Sequence, residues 1–158
     1  MTPLAHVVTL LAVMPLVHFL PRRGRLAVLT VAGAAFMLFL VPAAFWIIAV
    51  TVLEAIVLER VLRNLPKKSM WRQYAPYVLL LNFFSTDVIN GFWSREHLAT
   101  AGVAFAVVRV FMTTKQILGA KTTTLVQRVA SMFAGGFFLP VVVVGPVVSG
   151  TALWDQAS

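Results

Sequence analysis

Six apolar runs, separated by short polar or basic stretches, make up most of the chain. They cover residues 4–20, 26–40, 43–58, 74–93, 98–114 and 129–148. A membrane-spanning helix needs about 20 predominantly apolar residues. The runs therefore predict an all-α fold, a polytopic helical membrane protein with about six transmembrane helices in one domain, residues 1–158. Pro42 lies between the second and third runs and favours a hairpin over one long helix.

The last run is interrupted where it is most apolar. Residues 137–150 read FFLPVVVVGPVVSG, with Pro140 and the pair Gly145-Pro146 inside an otherwise oily stretch. Proline removes a backbone donor and clashes with the preceding turn, so the helix is expected to kink or break there. A broken helix at membrane depth is tolerated only where protein or a water-filled cavity covers the freed backbone. Two interpretations stay open: an ordinary kinked span, or a re-entrant segment that serves the function.

Basic residues alternate regularly between the runs. Lys and Arg number three after the first run, five after the third and three after the fifth, against one or none in the other connections. Under the positive-inside rule, the three basic loops face the cytoplasm. This pattern predicts a multi-pass membrane protein with both termini on the outer side. If the last run is re-entrant, the C-terminus returns to the inner side.

Composition places the chain in the membrane class. Of its 158 residues, 60 % are hydrophobic and 11 % are charged, compared with about 45–50 % and about 25 % in soluble domains. The net charge of +8 indicates loops that face anionic lipid rather than a nucleic acid, because the cations lie between apolar runs. The lipid bilayer is therefore the expected partner. Without cysteine, thiolate chemistry and zinc–thiolate sites are excluded, and we predict no metal and no bound cofactor.

A few ionisable residues fall within or beside the runs. Glu54, Asp87 and Arg109 lie at depth, and Glu59 lies near a helix end. Intramembrane charges usually face the bundle interior or a cavity, and an Arg109 pair with Asp87 or Glu54 would offset much of the desolvation cost. Such a pair either fixes helix packing or forms a substrate or anion site. No catalytic motif with known spacing is present, so the catalytic residues are unknown.

Two stretches resemble a known family. AGVAFAVVRVFMTTKQILG, residues 101–119, is similar to its G-(I/V)-S-F helix, and FFLPVVVVGPVVSGTALWDQ, residues 137–156, is similar to its FFP-x-x-x-x-GP-(I/V) segment. The chain thus resembles the N-terminal portion of the membrane-bound O-acyltransferases, in the bacterial branch that acylates cell-surface polymers. The resemblance implies acyl transfer from an acyl thioester donor to a hydroxyl of a polymer or lipid, and a location in the bacterial cytoplasmic (inner) membrane. It also implies that Gly145 and Pro146 line the tunnel for donor or substrate.

The chain also departs from that family. Ala104 replaces the serine of its helix motif, and the family's catalytic histidine lies in a later segment that none of His6, His18 or His97 matches. The resemblance therefore implies a partner, either a missing C-terminal portion or another membrane subunit. Two alternatives stay open: a non-catalytic membrane scaffold, and a small transporter or channel that uses Asp87 and Arg109.

Overall fold

A computed structural model describes residues 3–82, 97–120, 123–141 and 147–157 of the chain. In these residues the fold is all-α, as the apolar runs predict. The helices are α1 (Pro3–His18), α2 (Arg22–Leu40), α3 (Pro42–Leu62), α4 (Met70–Tyr74), α5 (His97–Gly119), α6 (Leu125–Phe137) and α7 (Gly150–Ala157). Short 3-10 turns follow α4 at Ala75–Tyr77 and α6 at Leu139–Val141.

Proline and threonine fix two of the helix starts. Pro42 opens α3, where its missing N–H removes no helical hydrogen bond. Val41 separates α3 from α2, and the two helices pack side by side, so the hairpin interpretation is correct. Thr124 precedes α6, and its side-chain oxygen accepts a hydrogen bond from the Gln127 N–H at 3.2 Å. This is the usual N-cap, which satisfies one of the free donors of the first turn.

Fewer helices than predicted are long and apolar enough to cross a membrane. Within the described residues there are two, Arg22–Leu40 and Ala101–Gly119, instead of about six. The helix of the first run has 16 residues and α6 has 13, below the roughly 20 that a span requires. The fourth predicted segment, residues 74–93, lies partly outside the described residues.

The final predicted segment, residues 129–148, does not form one helix. Its helix, α6, ends at Phe137, and Pro140 lies in the short turn Leu139–Val141. At 1.5 Å per residue, the 13 residues of α6 extend about 20 Å, less than the roughly 30 Å of a hydrocarbon core. Gly145 and Pro146 lie outside the described residues.

Two glycines allow backbones to touch around this interruption. A Cβ on Gly33 of α2 would overlap the carbonyl oxygen of Phe137 and lie 2.9 Å from the Leu139 nitrogen. A Cβ on Gly150 would overlap the carbonyl oxygen of Ser131 in α6. The end of α6 is therefore packed directly against α2, and the start of α7 directly against the middle of α6.

The described parts of all three basic segments lie at the same end of the helix bundle. Arg72 donates to the Leu118 carbonyl at the end of α5, and Arg128 near the start of α6 lies 3.1 Å from Glu59 of α3. The first basic segment reaches the same end through Arg23, whose guanidinium lies 5.6 Å from the centre of the Trp154 ring in α7. Consequently the C-terminal helix returns to the basic end. Of the two placements left open for the C-terminus, this geometry agrees with the re-entrant one, because the chain turns back after α6.

Candidate functional site

In the part of the chain that the structure describes, Arg109 is the largest side chain that is completely buried. It lies in the middle of α5 with 0 % exposure, on the face that also buries Ala106 and Val110. Its Nε donates to the Gly135 carbonyl at 2.9 Å. Gly135 belongs to the last turn of α6, where carbonyls lack partners within the helix. Arg109 therefore caps the end of α6 and places a cation at the negative end of the helix dipole.

Small residues bring three helices together around this arginine. A Cβ on Gly135 would lie 3.0 Å from the Thr113 hydroxyl and 3.5 Å from the Arg109 carbonyl oxygen, so α5 and α6 are close here. The Thr113 hydroxyl donates to the Arg109 carbonyl at 2.7 Å and accepts from the Gly150 N–H at 2.7 Å. The first residue of α7 is thereby held against the same turn of α5.

The two terminal nitrogens of the Arg109 guanidinium are unbonded donors in the described part of the chain. Among the described residues, neither Nη1 nor Nη2 of Arg109 has a hydrogen-bond partner, and the buried hydroxyl of Ser131 also lacks one. Ser131 lies one turn before Gly135 on α6. A buried donor without a partner costs about 1–3 kcal/mol, and more when it is charged. The Nη1 and Nη2 pair can bind a carboxylate or phosphate with two parallel hydrogen bonds.

A second side chain covers the turn that follows α6. His6 Nε2 of α1 donates to the Leu139 carbonyl at 2.7 Å, and the His6 ring centre lies 5.4 Å from that of Phe36. Together, the Arg109 and His6 bonds supply a donor to one carbonyl in the last turn of α6 and to one in the turn that follows it. The described start of the interruption is thus covered by other helices, as a break at membrane depth requires.

Glu54 does not pair with Arg109. It is half-buried on α3, where its Oε2 accepts from the Asn82 amide at 2.6 Å, and the same amide lies 3.1 Å from the Thr51 hydroxyl. Within the described chain, no ion pair joins Glu54 to Arg109. Of the two acids considered as partners of Arg109, Glu54 is therefore not the partner, because Arg109 is directed to the end of α6 instead. Asp87 lies outside the described residues.

Among the described residues, the acid that is buried is Glu59, which is 3 % exposed. Its Oε1 lies 2.8 Å from Arg63 Nη1, one turn later on α3, and 3.1 Å from Arg128 Nε on α6. Arg128 Nη1 also donates to the Thr123 carbonyl at 2.8 Å. One carboxylate therefore joins α3 to the start of α6 through two arginines.

No family model, curated protein or solved structure matches the chain. Its relation to the membrane-bound O-acyltransferases thus stays a prediction.

Of the other predicted site residues, one is described by the structure and three are not. Pro140 is half-buried in the turn after α6, next to the Leu139 carbonyl that His6 covers. Asp87, Gly145 and Pro146 lie outside the described residues, so their predicted roles stay predictions.

Several residues around Arg109 were not predicted from the sequence. No sequence motif marks Thr113, Ser131 or Gly135. They have a role only because α5 packs on α6. Glu59 and Arg63 did carry a signal, since opposite charges four residues apart face each other on a helix. Their third partner, Arg128, comes from a helix distant in sequence.

Proposed function

We propose that this chain is an integral membrane protein that binds an anionic group at Arg109 inside its helix bundle. The observation that carries the proposal is the fully buried guanidinium, whose Nη1 and Nη2 have no partner in the described part of the chain. Only Nε of Arg109 is used to cap α6, so Nη1 and Nη2 are available to a ligand. Charges inside membrane helices typically mark substrate or ion paths, which favours the transporter hypothesis for this residue.

The outer surface supports the membrane location. Five apolar side chains of α3, each 47–63 % exposed, follow one another at spacings of three and four residues: Trp46, Val50, Leu53, Val57 and Val61. These spacings place them on one face of the helix. The opposite face buries Thr51 and Glu59. A contiguous apolar exterior is unusual for a protein in water and is expected next to lipid.

Replacing Arg109 with glutamine is expected to abolish anion binding. For the wild type in detergent micelles, inorganic phosphate or acetate at about ten times its dissociation constant should stabilise the fold by about 1.4 kcal/mol. This corresponds to a rise in Tm of about 3–5 °C. Arg109→Gln should show no such rise, because an amide cannot offer the charged two-nitrogen fork. Tryptophan fluorescence during heating provides the measurement.

Arg60→Gln is the matched control, because Arg60 is an exposed arginine of α3. It should respond to both anions as the wild type does, at an ionic strength held constant with chloride. An identical rise in wild type and Arg109→Gln would contradict the proposal. So would no rise in the wild type, an outcome that favours the scaffold hypothesis.

Cysteine labelling tests the membrane location separately. The chain has no cysteine, so single replacements of the exposed residues Ala43, Lys67 and Asp155 can be labelled one at a time with a membrane-impermeant maleimide. We propose that the basic end faces the cytoplasm, by the positive-inside rule. Positions 67 and 155 should then react only in inside-out vesicles, and position 43 only in right-side-out vesicles. Labelling of 155 together with 43 would contradict this arrangement.

Acyl transfer is the second candidate function. The interruption of α6 before Pro140 favours it, since the break falls in the segment that resembles the acyltransferases. On this hypothesis, DNA adjacent to the coding region specifies an apolar helix that contains histidine. Co-expression of both parts should produce acyl transfer to a polymer hydroxyl, and failure with both parts present in the membrane would exclude it.

A further inference from the structure

A pocket lined by cations lies at the basic end of the bundle, between the connection after α3 and the end of α5. Its volume is about 260 Å³. Its walls are formed by Lys67, Arg72, Gln73, Lys115, Leu118 and Gly119. Three of these six residues are cationic, and none of the described residues that line it is acidic. The pocket is therefore complementary to a negatively charged group.

Hydrogen bonds to the backbone hold two of the cations in place. Arg72 donates to the Leu65 carbonyl at 2.7 Å and also to that of Leu118, which fixes the connection against the end of α5. Lys115 Nζ donates to the Gln73 carbonyl at 2.6 Å. Lys67 is exposed at the rim. Two positive charges are thus positioned in advance, which lowers the ordering cost of binding.

An apolar groove adjoins the basic pocket. It has a volume of about 440 Å³ and is lined by Met70, Trp71, Tyr74, Ala75, Tyr77, Val78 and Leu81. The two cavities meet at Tyr77, because Lys115 Nζ lies 5.3 Å from the centre of the Tyr77 ring. Phe111 of α5 supports that ring at a centroid distance of 4.9 Å.

We infer that the pocket and the groove together bind one anionic phospholipid. The phosphate lies between Lys67 and Lys115, and an acyl chain runs along Tyr74, Val78 and Leu81. Tryptophan and tyrosine are enriched where membrane proteins meet the head groups, and Trp71 is 74 % exposed and Tyr74 62 % exposed beside the cations. A soluble phosphate would use the basic pocket but would leave the groove empty. The inference rests on the proposed membrane location and does not involve Arg109.

Native mass spectrometry of the protein in a neutral detergent tests this site. Phosphatidylglycerol is titrated against phosphatidylcholine of the same acyl chains, with glycerol phosphate as a probe for the head group alone. A lysine near an anionic lipid contributes roughly fivefold in affinity. The wild type should therefore prefer phosphatidylglycerol by at least about fivefold, and glycerol phosphate should bind more weakly than the lipid.

Lys67→Gln should reduce this preference by about fivefold, and adding Lys115→Gln should remove it. Lys68→Gln is the control, since Lys68 is the exposed neighbour that does not line the pocket. Equal binding of the two lipids to the wild type would overturn the inference, as would equal losses in Lys67→Gln and Lys68→Gln. Glycerol phosphate binding as tightly as the lipid would also overturn it, by showing a site for soluble phosphate. Because cysteine labelling reads the membrane location independently, a failure here is distinguishable from a failure of that proposal.

Discussion

Gly33→Ala is expected to destabilise the protein by about 3 kcal/mol or more. Alanine normally stabilises a helix relative to glycine by about 1 kcal/mol. At Gly33, however, the new Cβ would overlap the Phe137 carbonyl oxygen and approach the Leu139 nitrogen to 2.9 Å. Both atoms belong to backbone, which cannot move aside as a flexible side chain can. Overpacking of this kind typically costs 1–3 kcal/mol, and occasionally more. Denaturant unfolding in detergent micelles would measure the loss.

Gly24→Ala on the same helix is the matched control. A Cβ on Gly24 would meet its nearest neighbours, in Leu20 and Pro21, at 3.5 Å, an ordinary contact distance. We therefore expect Gly24→Ala to be neutral or to stabilise α2 by up to about 1 kcal/mol. The two substitutions are chemically identical, so an opposite sign isolates the close contact. Equal effects would show that α2 does not pack on the end of α6 as described.

The consequence of this contact extends to Arg109. Gly33 fixes the position of Phe137, only two residues after the Gly135 carbonyl that Arg109 caps. If α2 moves away, the end of α6 loses its support and Arg109 Nε loses its bond to the Gly135 carbonyl. Gly33→Ala should therefore also weaken the anion response, although Gly33 itself has no group that can bind an anion.

Local signals predicted the helices and their interruptions well. The apolar runs indicate helix because they are longer and more hydrophobic than strands or loops usually are. A proline restricts its own backbone whatever the fold. Pro42 thus marks the start of α3, and Pro140 lies in the turn after α6. Gly33 is small whatever the fold, and in the structure it is buried against backbone.

Contacts between distant helices were predicted poorly. Whether Glu54 or Glu59 faces the interior depends on the rotation of α3 about its axis, and only the packing of α5 and α6 determines that rotation. The return of α7 to the basic end likewise depends on packing between helices that are distant in sequence. Gly150 and Thr113 carry little sequence signal, yet a single hydrogen bond of 2.7 Å between them helps to place the C-terminal helix. Fewer of the described helices are long and apolar enough to span a membrane than the apolar runs predicted, because runs such as the first and the last form helices of only 16 and 13 residues.

Glu59→Gln is expected to destabilise the protein by about 3 kcal/mol. The carboxylate side chain is 4 % exposed and joins Arg63 and Arg128, whose side chains are 28 % and 15 % exposed. Removing one partner of a buried ion pair typically costs 3–5 kcal/mol, because the remaining charge is left without compensation. Both arginine side chains are still partly exposed to water, so the expected loss in the free energy of unfolding lies at the lower end of this range. Because α3 and α6 are joined through this carboxylate, both should loosen at the basic end, which hydrogen exchange would detect alongside the unfolding measurement.

Glu54→Gln is the control for this prediction, since it makes the same change on the same helix. Glu54 is half-buried and accepts a hydrogen bond from the Asn82 amide, which a glutamine carbonyl can also accept. Its loss should stay below about 1 kcal/mol, as expected for a replacement that keeps a neutral hydrogen bond. The stability loss in Arg63→Gln should lie between those of Glu54→Gln and Glu59→Gln, because Glu59 then keeps Arg128 as its partner. If Glu54→Gln proved as costly as Glu59→Gln, the orientation assigned to α3 would have to be rejected, because the acid that supports the bundle would then lie on the other face.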